Sequence, residues 1–150
     1  MRLGCGQNRR PRVEATMALA SQAVRQAAAI PFKGDQLCLV TSRSGKRWVV
    51  PKGTMEPGKT SGEIALQEAW EEAGLTGVLH REPVGTYLYE KLGSTHHVVV
   101  YVMRVTNELE HWLEDRLRRR RWMRIPDATA RLREELQPFV HNLEGVVGEA

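Results

Sequence analysis

From Lys52 to Leu75 the chain reads KGTMEPGKTSGEIALQEAWEEAGL, a loop punctuated by glycine and proline that runs directly into an acidic helix. Thr60 and Glu63 have the T-x-x-E spacing of a capping box, which predicts a helix from Ser61. Gly74 is placed to end it after Ala73. At about 100° per residue, Glu68, Glu71 and Glu72 fall within an arc of roughly 100°, while Leu66, Ala69, Trp70 and Ala73 take another side. The expectation is one packed face and one exposed carboxylate face.

Three carboxylates on adjacent turns repel one another, by a few tenths of a kcal/mol per pair on an exposed helix. No lysine or arginine of this helix is spaced to neutralise them. An isolated Glu-Glu pair is ordinarily the wet side of an amphipathic helix. The preceding Pro-Lys-Gly-x-x-x-Pro-Gly loop shifts the weight from that reading to a combined metal and phosphate site, because its glycines let the backbone approach a ligand and its prolines fix the chain. A hard divalent cation takes such oxygen ligands, and Mg²⁺ in particular binds through one or two carboxylates plus phosphates and water.

Around this segment the pattern is strand-like. Strands are expected at Val24–Ile30, Gln36–Thr41, Arg47–Val50, Val78–Leu79, Val84–Tyr89, His97–Val105 and Arg120–Ile125, all rich in β-branched and aromatic residues or bounded by turn signals. A closing helix is expected after Pro126, interrupted at Pro138, with a final turn near Phe139–Leu143. Strands on both sides of a central helix make an α/β or α+β sandwich rather than a bundle. The 150 residues suit a single domain, expected over 21–145 and preceded by a poorly ordered Gly/Arg/Pro-containing arm over 1–20.

A net charge of +4, with 22 basic residues among 18 acidic ones, suits an anionic partner and points to phosphates rather than bulk nucleic acid. Cys5 and Cys38 have neither disulfide-framework nor metal spacing, so a reducing cytoplasm is the default setting. No apolar run approaches the ~18 residues of a membrane span.

The segment from Lys52 resembles the Nudix family, whose box reads G-x5-E-x7-R-E-U-x-E-E-x-G-U, with U a bulky aliphatic. Gly53, Glu68, Ala69 at a U position, Glu71, Glu72, Gly74 and Leu75 fall in register. The resemblance implies an αβα sandwich with a mixed sheet, hydrolysis of a diphosphate linked to a second moiety, and dependence on Mg²⁺ or Mn²⁺. By position, it implies that Glu68, Glu72 and the backbone carbonyl of Lys52 bind the metal, and that Glu71 is the base that activates water. Lys59 and Gln67 stand where the box has glutamate and arginine, two residues that in the family usually pair to brace the loop against the helix. Both ends of that brace are changed, and loss of a whole ion pair strands no charge.

Over about residues 24–133 the chain is further similar to the diphosphoinositol polyphosphate phosphohydrolases, a subgroup that also cleaves diadenosine polyphosphates. The matching stretches are LCLVTSRSGKRWVVPKGTMEPG, EEAGLTGVLHREPVGTYLYE, HHVVVYVMRVTNELEHW and RRRRWMRIPDA. The subgroup's Gly-Gly-Gly loop is Pro51-Lys52-Gly53 here. Arg25, Arg43, Lys46, Arg47, Lys52 and His96 come from strand ends and loops expected to surround the helix; as in the subgroup, they are candidate phosphate-binding residues. The run Arg118–Arg121 followed by Trp122 has the make-up of a nucleic-acid patch, but Glu108, Glu110, Glu114 and Asp115 lie nearby and favour local neutralisation. Glu108 or Glu110 is a candidate for an extra carboxylate at the site. His96 and His97 alternate across a strand and so do not form a metal pair. The leading reading is a phosphohydrolase of a polyphosphorylated small molecule, and the second a non-catalytic Nudix domain that binds nucleotides or RNA.

Overall fold

The computed structural model describes residues 23–141 and residue 143, so the expected arm over 1–20 and the outermost ends of the expected domain lie outside it. The central strand is β1 (Val24–Lys33). Its run AAAIPF is apolar without interruption, as suits a strand covered on both faces. Ala27 and Ala29 point into one core and Ala28, Ile30 and Phe32 into another. β7 (Ser94–Glu108) pairs with β1 in parallel, from Val24↔His96 to Phe32↔Arg104. β2 (Gln36–Thr41) and β4 (Lys52–Thr54) pair with β1 antiparallel.

The sheet is completed by β3 (Trp48–Val49) and β8 (Arg120–Arg124), both on β2, and by β5 (Leu75–Leu79) and β6 (Gly85–Lys91), which divide the length of β7. Helix α1 (Ser61–Ala73) covers one face. On the other lie α2 (Ile125–Arg131), a 3₁₀ turn (Glu134–Leu136) and α3 (Gln137–His141). This is the expected αβα sandwich with a mixed sheet. Among the described residues no helix is long and apolar enough to cross a membrane.

Helix α1 begins and ends where the sequence predicts. Thr60 accepts from the Glu63 amide at 3.1 Å while the Glu63 carboxylate accepts from the Thr60 amide at 2.8 Å. Gly74 closes it in the left-handed conformation, at φ +65°. Its faces differ from expectation. The helix lies on the sheet through Ile64, Ala65, Ala69 and Ala73, small enough to bring it close to Ala27 and Ala29, whereas Trp70 is 45% exposed. Because the packed arc overlaps the acidic one, Glu72 is only 7% exposed. Lys52–Thr54, expected as loop, is a strand whose Gly53 lies against α1, where an added Cβ would overlap the Glu68 carboxyl.

The end of α1 is satisfied by its own cap residue, by the segment between β7 and β8, and by the first residue of β8. Trp70 O accepts from the Gly74 amide, Glu71 O from the Glu114 amide at 3.0 Å, Glu72 O from Trp112 Nε1 at 2.9 Å and Ala73 O from Arg120 Nη1 at 2.7 Å. All four carbonyls that a helix leaves without intrahelical partners are thereby used. Gly74→Ala should disturb this junction twice, through its positive φ and through a Cβ only 2.8 Å from Trp112 Cβ. We expect a loss of about 2 kcal/mol or more in urea unfolding; a loss below about 0.5 kcal/mol would show that the junction relaxes freely.

Candidate active site

Helix α1, strand β4 and the segments before β3 and β8 converge on one cleft of about 410 Å³. Four carboxylates line it, Glu68, Glu71, Glu72 and Glu114, together with five cationic side chains, Arg43, Arg47, Lys52, Lys91 and Arg118. His96 and Tyr89 complete the wall, their rings stacked at 4.6 Å.

The carboxylates are held rather than merely displayed. Lys52 occupies a position of β4 whose amide and carbonyl face away from β1, since Ala29 N→Pro51 O and Met55 N→Arg25 O set the alternation of the ladder. Its amide donates to Glu72 Oε1 at 3.4 Å, so its carbonyl is turned to the same side. Arg118, itself buried, has Nη2 3.5 Å from Glu72 Oε2, donates from Nε to Glu114 Oε1 at 2.8 Å, and anchors to Thr41 O at 2.9 Å. Burial nevertheless outweighs Arg118 and pushes the Glu72 carboxyl up to about 8. Glu68 is raised too, chiefly by burial and by Glu71, although a hydrogen bond shared with Glu72 works against this. A proton on Glu72, donated toward Glu68, relieves the repulsion between them.

Among the described residues no group of three or more Asp, Glu, His or Cys side chains is already converged to hold a metal. The set present is two carboxyls and a main-chain carbonyl. That set matches Mg²⁺, which is usually held by one or two carboxylates and keeps water and phosphate in its remaining positions. Gly53 fits as well, since its missing Cβ is what allows β4 to lie against Glu68.

The basic candidates divide. Arg43 and Arg47 are carried on the turn after β2, which is closed by Ser42 N→Arg47 O at 2.8 Å and Gly45 N→Ser42 O at 2.8 Å, and both reach the cleft with Lys52 and His96. Arg25 does not line it. Its neighbour Gln26 does, because alternation along β1 turns Arg25 to the other face, and Gln26 accepts from Tyr89 OH at 2.7 Å. Lys46 is exposed and likewise absent from the lining.

Sequence reasoning did not select Glu114 and Arg118 for the site. Their i,i+4 spacing is visible in the sequence, but their placement beside Glu72 depends on the Glu114 amide capping α1. Glu108, by contrast, is held by Arg120 at 3.2 Å and accepts from Trp122 Nε1 at 3.2 Å. Glu108 and Glu110 do not line the cleft. Within the arginine run, Arg118 and Arg120 turn inward, the latter 4.2 Å over the Trp112 ring.

The altered brace is rebuilt from different atoms. Lys59 Nζ donates to Gln67 Oε1, Gln67 Nε2 donates to Glu56 Oε2 at 2.8 Å, and Lys59 Nζ lies 3.7 Å from Glu56 Oε1. Loop and helix remain tied together.

A family model described as the NUDIX domain matches residues 23–143. The chain belongs to the Nudix family. Diphosphoinositol polyphosphate phosphohydrolase 2 of Mus musculus is 38% identical over 111 residues, covering 69% of this chain and 60% of that protein. Human diphosphoinositol polyphosphate phosphohydrolase 3-alpha is 39% identical over 111 residues, covering 69% of this chain and 66% of its own. The chain thus spans about 60–66% of the length of these curated relatives. A C. elegans Ap4A hydrolase, solved as a binary complex, superposes with a TM-score of 0.71 at 20% identity, covering 85% of this chain and 100% of that one. A MutT protein from Methanosarcina mazei gives 0.66 at 18% identity, over 81% of this chain and 93% of the other. These solved structures share the fold.

The rebuilt brace sets the order of the two single changes. Gln67→Arg keeps Glu56 as a partner, whereas Lys59→Glu sets a second carboxylate beside Glu56. The latter should be the more damaging single change, by about 0.5–1 kcal/mol for groups this exposed, and the pair together should recover most of the loss. Urea midpoints and kcat/KM of both singles and the double form the cycle; a worse Gln67→Arg single would show that Glu56 does not carry the brace.

Proposed function

We propose that this Nudix domain hydrolyses a phosphoanhydride bond of a polyphosphorylated small molecule, a diphosphoinositol polyphosphate or a dinucleoside polyphosphate, with Mg²⁺ or Mn²⁺ as cofactor. The observation that carries the reading is the meeting of four carboxylates and five cationic side chains on one cleft. A single monophosphate does not need that many cations.

The cofactor, when bound, withdraws charge from the phosphate oxygens and makes the attacking water more acidic. Glu68, Glu72 and the Lys52 carbonyl would hold it. Glu71, on the same helix face and half-buried at the cleft, accepts the proton of the attacking water. The water oxygen bonds to phosphorus, the bridging P–O bond breaks, and the departing phosphate takes the electron pair. Arg43, Arg47, Lys52 and His96 hold the remaining phosphate oxygens, so that most of the rate gain is positioning and charge neutralisation. Arg118 keeps Glu72 and Glu114 in place from behind. The retained loop-to-helix tie and the kept carboxylates Glu68, Glu71 and Glu72 favour this over a non-catalytic binding domain, for which phosphate release from a panel of diphosphates, with and without Mg²⁺, is the discriminating measurement. The chemistry of a free, buried Cys38 accords with a cytoplasmic setting.

Three outcomes are expected. Glu72→Gln should abolish Mg²⁺-dependent turnover while the fold persists, since the amide is isosteric with the protonated carboxyl; a wild-type rate would remove Glu72 from the ligand set. Glu71→Gln should reduce kcat more than metal affinity, and equal weakening of the two would make it a ligand instead.

The third outcome concerns pH. The folded-state value of Glu72 lies above that of an unfolded carboxylate, so its contribution to metal-free stability is complete below about pH 4.3 and is lost as pH rises through about 8. Mg²⁺ competes with that proton. The Mg²⁺-induced rise in Tm should therefore be larger at pH 8.5 than at pH 6; an equal rise at both would place the cation elsewhere.

A further inference from the structure

Strand β5 stands at an edge of the sheet, and among the described residues it pairs with β7 alone. The hydrolytic reading makes no use of it. Leu109 N→Gly74 O at 2.8 Å and His80 N→Val102 O at 2.7 Å set the alternation of its ladder, so residues 74, 76, 78 and 80 turn their main-chain groups to β7. The irregularity in this pair leaves the alternation of β5 intact. Thr76 and Gly77 face Asn107 and Val105, so the extra residue, Thr106, belongs to β7. The amides and carbonyls of Leu75, Gly77 and Leu79 therefore point away from the sheet.

Such a row is a template for another strand, and proteins ordinarily guard it with charge, proline or cover. Two other edges of this sheet are guarded: β8 carries Arg120, Arg121 and Arg124, and β6 ends in Glu90 and Lys91. β5 reads LTGVL, with neither charge nor proline. Beside it runs a groove of about 500 Å³, in which Leu66 and Trp70 of α1 meet Leu75 and Gly77, while Val78 is 53% exposed. Gly77 has a local reason to be glycine, since a Cβ there would overlap Arg104 O. That explains the residue but not the unguarded edge on both sides of it.

We propose that β5 is a self-association edge, through which two copies of this chain join their sheets antiparallel about Gly77. The outward groups at residues 75, 77 and 79 are spaced symmetrically about Gly77, so a two-fold axis there presents the same pattern from each copy to the other. Gly77 then faces Gly77 and Leu75 faces Leu79, each pair exchanging both its hydrogen bonds. Thr76 comes beside Val78 on one face, a β-branched cross-strand pair. On the other, Leu79 of the second copy enters the groove beside Leu66 and Trp70. Charge agrees with this direction. Arg104, opposite Val78, and Arg81 lie at the Leu79 end, with Glu82 offsetting one of them, and Glu110 follows Leu109 at the Leu75 end. The antiparallel arrangement sets the basic end of one copy against the acidic end of the other, whereas a parallel one opposes like charges. Among the described residues Arg81, Arg104 and Glu110 form no ion pair within the chain.

The test is sedimentation equilibrium of the whole chain over a range of concentrations, together with residue-resolved amide exchange. The mass should rise from monomer toward dimer with concentration. As it does, the amides of Gly77 and Leu79 should become protected, while that of Val78, already turned to β7, stays constant. Val78→Lys should raise the Kd of the dimer at least about tenfold by placing a cation on the edge, with Tm kept. Arg81→Glu and Glu110→Arg should each raise it about three- to fivefold, as for an exposed pair made twice, and together restore it, which keeps the test independent of any packing lost in Val78→Lys. A mass that stays monomeric throughout would overturn the proposal, as would a dimer whose Gly77 and Leu79 amides exchange as fast as in the monomer. Protection of these amides by an added extended peptide of unrelated sequence, in a chain that itself stays monomeric, would overturn it too and assign the edge to another protein.

Discussion

Helix α1 rests on β1 through alanines on both sides, Ala65, Ala69 and Ala73 against Ala27 and Ala29. Small side chains let the two backbones approach closely, and that proximity has an electrostatic consequence. An acid that a longer side chain would have kept at the rim, Glu72, is drawn under cover, beside the Lys52 amide and the Arg118 guanidinium. Burying a carboxyl disfavours its charged form. The cost is met in part by a proton and in part by Arg118.

The other parts of the site follow from this contact. Gly53 is needed because β4 must lie against Glu68 with no Cβ between them. Of the last four carbonyls of α1, one is satisfied by the Gly74 amide of its own cap, two by Trp112 and Glu114 between β7 and β8, and one by Arg120 at the start of β8. Capping the helix therefore also delivers Glu114 and Arg118 to the cleft. A structural requirement of the helix end and the composition of the site are met by the same chain segment.

The brace between loop and helix illustrates how loosely such a tie is tied to residue identity. Lys59 and Gln67 depart from the Nudix box, yet with Glu56 they form a connected set of hydrogen bonds spanning the same gap. What the loop requires is a link of the right length between two elements, and a charge-assisted amide network supplies one. Much of the positive charge opposite the carboxylates comes from elements distant in sequence, the turn after β2 and the β6–β7 hairpin, so the cleft is a product of topology.

The sequence by itself determined those features whose physics is local. The capping box at Thr60 and Glu63, the left-handed stop at Gly74, the strand over Gln36–Thr41 and the register of Glu68, Glu71 and Glu72 were all legible, because each depends on hydrogen bonds or periodicities spanning a few residues, whereas the αβα layering was implied by the resemblance to the Nudix family. Tertiary structure decided which arc of α1 would be covered, leaving Trp70 outside and Glu72 inside, since burial depends on what the helix meets and not on its own hydropathy. It also decided that Gln26 rather than Arg25 faces the cleft, that Lys52–Thr54 is a strand, and that Arg118 turns inward to two glutamates instead of forming an outward basic patch. Those outcomes depend on sheet pairing and on contacts between residues far apart in the chain, which no local pattern records.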